Sequence, residues 1–165
     1  MSSAHQSLSH IPENLPNAGP HRFGIVVADW NSTITHSLLD GAQNALKLAG
    51  ADPGKIHLCH VPGSFELTAG ASLLLQDGSL DAIICLGCVI QGETRHFDFI
   101  CAAVAEGLTN LTVRYNRPVI FGVLTTDTLD QAMDRSGGRL GNKGFEAGVT
   151  AIQMADLFKK GRISK

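Results

Sequence analysis

The sequence predicts an α/β protein, a three-layer α/β/α sandwich around a mainly four-stranded parallel sheet. Three observations point there. From residue 21 onward, short β-rich runs alternate with longer stretches of helical period, the pattern of strands joined by crossover helices. The run from Ala82 to Ile90 is apolar without alternation, as a strand covered on both faces must be. The chain has 165 residues, which suits one compact domain with an ordinary core and no second module.

The first strand spans Arg22 to Ala28 and leads through Trp30 and Asn31 into a helix with Ile34, Leu38, Ala42 and Ala45 on one face. Gly50 supplies its C-terminal stop. A second strand, Lys55 to Val61, ends at Pro62-Gly63, after which Ser64 is placed to cap a helix through Leu75. The third strand, Ala82 to Ile90, gives way to Gln91-Gly92-Glu93. Thr94 is then placed to cap a helix carrying Phe97, Ile100, Val104, Leu108 and Leu111 at helical spacing. The fourth strand is Pro118 to Leu124. Thr128 and Gln131 have the spacing of a capping box and open a short helix through Arg135. Phe145, Val149, Ile152, Ala155 and Phe158 mark the buried face of the last helix, with the Gly-rich linker 137–144 before it. Residues 1–20, rich in Ser, His, Asn and Pro and without an apolar period, read as a flexible arm ahead of a domain over 21–165.

Composition narrows the function. The formal net charge is -2 and no Lys/Arg stripe is present, so nucleic-acid binding has no footing. No apolar run is long enough to span a membrane, and the N-terminus lacks a basic region followed by an apolar stretch; a soluble cytoplasmic protein is expected. The cysteines are Cys59, Cys85, Cys88 and Cys101. Cys85-Leu86-Gly87-Cys88 fits a C-x-x-C spacing. On a strand, however, residues three apart face opposite sides and no second pair completes a tetrahedral metal site, so reduced core thiols are the reading.

In a sheet of this kind, the loops after the strands gather on one edge, where ligands bind. The unusual residues fall there: Trp30 and Asn31, Ser64 to Glu66, Gly87 to His96, and Thr125 to Asp127. His96 sits in a first helical turn, where free N–H groups attract anions and oppose a proton on the imidazole; in isolation it also reads as an exposed helix residue with no role. Its neighbours Gly92-Glu93-Thr94 favour function, because glycine lets a ligand approach the backbone and a Thr hydroxyl with free N–H groups binds phosphate. Arg135 reads equally as a cation favoured at a helix C-terminus and as a bidentate phosphate clamp. Glu66 is a carboxylate suited to a first turn and also to sugar hydroxyls. Trp30 and Phe65 either plug the core or stack on a flat heterocycle. Gly141-Asn142-Lys143-Gly144 lacks the Ser or Thr and the preceding strand of a nucleotide-binding P-loop.

The segments Val61-Pro62-Gly63-Ser64-Phe65-Glu66-Leu67, Leu86 to Ile90 with Gly92-Glu93-Thr94-Arg95-His96-Phe97, Phe121-Gly122-Val123-Leu124-Thr125-Thr126, and Gly141-Asn142-Lys143-Gly144 resemble the lumazine synthase family in order and without gaps. The resemblance runs from about Arg22 to Phe158. It implies a flavodoxin-like sheet. It further implies condensation of 5-amino-6-(D-ribitylamino)uracil with 3,4-dihydroxy-2-butanone 4-phosphate, needing no metal or organic cofactor. Trp30 would stack on the pyrimidine, standing where many members have Phe, and Asn31 beside it would be a substrate-binding residue. Ser64, Phe65 and Glu66 would meet the ribityl chain and ring edge, and Cys88, Val89 and Ile90 would line the pyrimidine pocket. Glu93 (through its backbone N–H), Thr94 and Arg135 match the sugar-phosphate site, and His96 the proton-transfer residue. Phe121 and Lys143 match positions that complete the pocket from a neighbouring subunit. The family forms pentamers or shells of twelve pentamers, and the linker here carries no insertion, so a sixty-subunit shell is expected, with riboflavin synthase as a candidate partner. Two rivals stand beside this: a flavin-binding module on the same sheet edge, and a scaffold protein that keeps the assembly surface without activity.

Overall fold

The computed structural model describes residues 9–163. The strands are β1 (Phe23–Ala28), β2 (Ile56–Val61), β3 (Ala82–Ile90) and β4 (Val119–Thr126), and they form one parallel sheet in the order β2-β1-β3-β4. Helices α1 (Ser32–Leu48), α2 (Leu67–Leu75), α3 (His96–Tyr115), α4 (Leu129–Arg135) and α5 (Lys143–Ile163) connect and flank it. A two-stranded antiparallel turn, β5 (Ser136–Gly138) with β6 (Gly141–Asn142), stands between α4 and α5.

Position in the sheet explains the strand sequences. All six residues of β1 and the first seven of β3 are buried, because these are the central strands with a helix layer on each side. On one face, Phe23, Ile25, Val27, Ile84, Leu86 and Cys88 pack against Ile34, Leu38, Ala42 and Leu46 of α1 and Ala147, Ala151 and Ile152 of α5. On the other, Val26, Ile83 and Cys85 meet Leu67, Ala71 and Leu75 of α2 and Val104, Leu108 and Leu111 of α3. Cys85 and Cys88 therefore belong to opposite layers, and all four cysteines are free. The expected three-layer sandwich is the observed one. No helix of the described residues is long and apolar enough to cross a membrane.

Several boundaries differ from the expectation, each for a local reason. Ser64 does not cap α2. It opens a 3-10 turn, Ser64–Glu66, and its hydroxyl donates to the Cys88 carbonyl at 3.4 Å. Thr94 is likewise outside the capping position, which Arg95 occupies; the Thr94 hydroxyl accepts from the His96 N–H at 3.4 Å. β4 runs two residues past Leu124 because Thr125 and Thr126 continue the pairing with Val89 and Ile90. The forward half of the capping box forms, Thr128 Oγ1 accepting from the Gln131 N–H, while Gln131 Oε1 reaches one residue further back and accepts from the Asp127 N–H.

The linker 137–144 is more ordered than a Gly-rich string suggests. Asn142 caps α5, its side-chain oxygen accepting the N–H groups of Gly144 (2.8 Å) and Phe145 (3.1 Å). Its amide also donates to Ser37 O at 2.8 Å and to Ser136 O at 3.1 Å, tying the turn to α1. Glycine is required at Gly144, where a Cβ would overlap the Leu38 carbonyl. Of the N-terminal arm, residues 1–8 lie outside the described residues. From Ser9 the chain runs along the domain: Ala18 is fully buried in the α1–α5 layer, and its N–H donates to Ala49 O at 2.9 Å.

Candidate active site

A cavity of about 840 Å3 opens at the C-terminal edge of the sheet, a size that holds a heterocycle with a substituent chain. Two loops, a strand end and a helix start line it: Trp30 and Asn31 after β1, Gly63 to Glu66 after β2, Cys88 to Ile90 at the end of β3, and His96, Phe99, Ile100 and Ala103 of α3.

The wall hangs on the Cys88 carbonyl. Asn31 Nδ2 donates to it at 3.1 Å and Ser64 Oγ at 3.4 Å, so both loops are fixed to the end of β3. Asn31 adopts φ 60 and ψ 44, a left-handed conformation that asparagine tolerates better than most residues. That kink turns the chain from β1 into α1 and leaves the Trp30 ring 73% exposed beside the cavity. Gly87 makes room for Ser64: a Cβ there would lie 2.7 Å from Ser64 Oγ and 2.9 Å from Leu67 Cδ1. Glu66, half-buried, lies against Gly63, whose added Cβ would sit 3.1 Å from Oε2.

The mouth is aromatic. Trp30, Phe65 and Phe99 are 73%, 55% and 68% exposed, and rings left in water at a concave site are suited to stacking on a flat ligand or to being covered by a partner. The floor is neutral: burial pushes the Cys88 thiol up to about 11, and pushes Cys85 up further. Burial disfavours the thiolate at both positions, and the two side chains sit in opposite layers, as reduced core thiols do. His96 is the first residue of α3, exposed and facing the same cavity, at the positive end of the helix dipole; its own N–H meets the Thr94 hydroxyl and that of Asp98 the Arg95 carbonyl.

The sequence-predicted residues Trp30, Asn31, Ser64, Phe65, Glu66, Cys88, Val89, Ile90 and His96 thus come together. Glu93, Thr94, Phe121, Arg135 and Lys143 do not line this cavity. Glu93 and Thr94 are exposed in the loop before α3, and Phe121 is 37% exposed on β4, the strand at one edge of the sheet. Arg135 Nη2 pairs with Glu146 Oε1 at 2.8 Å, and Nη1 donates to Leu140 O at 2.7 Å. Lys143 Nζ meets the other Glu146 oxygen at 3.4 Å. Glu146 was not anticipated, although its i+3 spacing from Lys143 is a readable signal. Phe99 and Ala103 were also missed, because the helical period drew attention only to the core face of α3.

A sequence model of the family described as 6,7-dimethyl-8-ribityllumazine synthase matches residues 20–159. Curated proteins of that name are similar over nearly the whole chain. The one from Cytophaga hutchinsonii is 54% identical over 154 residues, 93% of this chain and 97% of its own. That from Parabacteroides distasonis is 52% identical over 158 residues, 95% of this chain and 99% of its own. A Flavobacterium johnsoniae relative is 48% identical over 165 residues, 99% of this chain and 87% of its own.

Proposed function

The chain belongs to the 6,7-dimethyl-8-ribityllumazine synthase family, and from that premise we propose how its cavity condenses 5-amino-6-(D-ribitylamino)uracil with 3,4-dihydroxy-2-butanone 4-phosphate. The products are 6,7-dimethyl-8-ribityllumazine, phosphate and two waters, and the reaction is the penultimate step of riboflavin biosynthesis. The observation that carries the reading is one concavity holding a flat exposed indole, a Ser–Phe–Glu turn, an apolar strand end and a histidine at a helix start.

In this reading the pyrimidine stacks on Trp30 and rests on Cys88, Val89 and Ile90. Ser64 and Glu66 take the ribityl hydroxyls. The 5-amino group attacks the ketone and one water leaves as the imine forms; phosphate is then eliminated, the ribitylamino nitrogen attacks the carbonyl so created to close the ring, and a second water leaves. Each step moves a proton but none needs a strong nucleophile, so alignment and a nearby acid–base group supply the catalysis. His96 is that group, placed where exposed helix N–H groups also attract the departing phosphate. Arg135 orients the phosphate with Thr94 and the backbone of Glu93. Its contacts to Glu146 and Leu140 leave further guanidinium N–H groups to offer. Mixing the two substrates with the protein and following the absorbance of the lumazine is the test; binding of a flavin without product formation would replace the enzyme reading with a binding module.

Phe121 and Lys143 complete the pocket of a neighbouring copy in this proposal, so the active form is a homo-oligomer of pentamers. The exposed apolar residues Leu48, Leu73, Val113 and Leu157 support burial against other copies. The β5–β6 turn is short, three residues paired with two, and on this reading it lets neighbouring pentamers approach and favours a closed shell in the cytoplasm. Sedimentation velocity separates the alternatives: a sole species at about five times the 17.5 kDa chain mass rejects the shell, and one at about sixty times supports it.

A further inference from the structure

We propose that Asp29, His36 and His60 form a binding site for a borderline divalent transition-metal ion, zinc foremost, that staples the loop carrying Trp30 to β2. Three separate elements bring these side chains together: Asp29 follows β1, His36 lies in α1 and His60 on β2. His60 Nδ1 is 2.7 Å from Asp29 Oδ1 and His36 Nε2 is 3.8 Å from the same oxygen. One donor atom from each residue lies within 4.8 Å of the others, and no other group of His, Cys, Asp and Glu among the described residues has this arrangement.

The donor set defines the ion. Two imidazoles and one carboxylate suit zinc, nickel or copper, whereas magnesium and calcium demand oxygen ligands. A tetrahedral zinc ion with bonds near 2.0–2.1 Å separates its ligand atoms by about 3.4 Å. The observed 2.7 and 3.8 Å bracket that spacing, so small side-chain rotations close the site. The imidazole rings are nearly perpendicular, at 83° with centroids 6.1 Å apart, so they do not stack and each can turn a nitrogen toward the carboxylate. All three side chains are about half exposed, at 54%, 53% and 46%, which gives the ion an entry path and leaves a coordination position for water.

The backbone beneath is already fixed. The Asp29 N–H donates to Val61 O at 2.8 Å and the Trp30 N–H to Pro62 O at 3.0 Å, so Asp29 and His60 are held side by side before any ion arrives. Coordination replaces the Asp29–His60 hydrogen bond, and the hydrogen on Nδ1 moves to Nε2 or to solvent. None of the three residues lines the cavity, and Trp30, the residue after Asp29, does. The site therefore stiffens the cavity wall from outside and takes no part in the chemistry.

Trp30 is the sole tryptophan, so its fluorescence reads the site directly. Untagged, chelator-treated protein in its assembled form is titrated with nickel(II) or copper(II), and zinc(II) is used as the competitor. Saturable quenching by a single ion per chain, reversed by zinc, is expected. His36→Ala and His60→Ala should each weaken binding by at least about tenfold, the loss seen even for an outer partner of a metal ligand. Without metal, both variants should keep parental turnover, which also shows that they fold. Cobalt(II) should give visible bands of nitrogen and oxygen coordination without thiolate charge transfer. Unchanged affinity in both histidine variants overturns the proposal, as does loss of binding on Cys59→Ser with thiolate bands in the parent. Absence of saturable quenching overturns it too.

Discussion

The cavity wall and the Arg135–Glu146–Lys143 cluster carry chemistry in opposite ways. The wall is open: Asn31 and Ser64 are tied to one backbone carbonyl, while Trp30, Phe65 and Phe99 stay in water. The cluster is closed on itself. Glu146, 14% exposed, is shared between the guanidinium of Arg135, 20% exposed, and the ammonium of Lys143. A wall with unfilled aromatic surface needs something to cover it, and a cluster of paired charges needs a reason to part. On the proposed reading, the wall is a half-site and the cluster serves the site of another copy.

The largest expected effect tests the wall. His96→Ala should fold as the parent does and lower turnover by about 10²- to 10⁴-fold, the span of lost acid–base help, without abolishing it. Substrate affinity should change little. Parental turnover in single-turnover measurements would move His96 from chemistry to the bland reading of an exposed helix residue.

Joining the two regions across subunits is tested by mixing. Lys143→Ala alone and His96→Ala alone should both be impaired, whereas oligomers reassembled from the two together should regain activity, because some interfaces then carry both native faces. No regain in mixed oligomers, verified as mixed by mass, would place both residues in one chain's site.

Arg135→Ala sharpens the contrast within the cluster. Removing a charge-assisted contact should raise the KM for the sugar phosphate by roughly ten- to a hundredfold, equivalent to about 1.5–3 kcal/mol, with the pyrimidine spared. Arg135→Lys should recover part. A fall in thermal stability with both KM values unchanged would make Arg135 only the partner of Glu146.

The two regions also differ in how far the sequence reveals them. β1 and β3 were legible because burial on both faces leaves an unbroken apolar run, and the cavity residues were legible because they follow strand ends. The β5–β6 turn was not, since glycines carry no periodicity and the Asn142 cap depends on contacts with Ser37 in a distant helix. The salt bridge of Arg135 to Glu146 was equally hidden, because it spans that turn. Ser64 misled as a cap because a hydroxyl near a helix start serves whichever partner the fold brings closest, here the Cys88 carbonyl, whereas Thr94 stands one residue ahead of the cap position and still accepts the first helical N–H, that of His96.

The smallest effect concerns the floor of the wall and its pH dependence. Cys88 is 2% exposed, and burial raises its thiol from 9.0 to about 11. The unfolded chain therefore ionises this thiol before the folded one does. The sign follows: its contribution to stability is complete below about pH 9 and is lost as pH rises toward 11. The midpoint of thermal unfolding should fall across that window, and part of the fall should vanish in Cys88→Ala, which removes the thiol and nothing charged. Cys85, buried in the opposite layer, adds to the decline in the same direction and remains as a background in that variant. Alkylation by iodoacetamide in native protein should likewise be slow at pH 8 at Cys88 and faster at the more accessible Cys59. Rapid modification of Cys88 at pH 8 would mean that the cavity floor opens to water, and the contrast between a fixed wall and a paired cluster would then lose its first term.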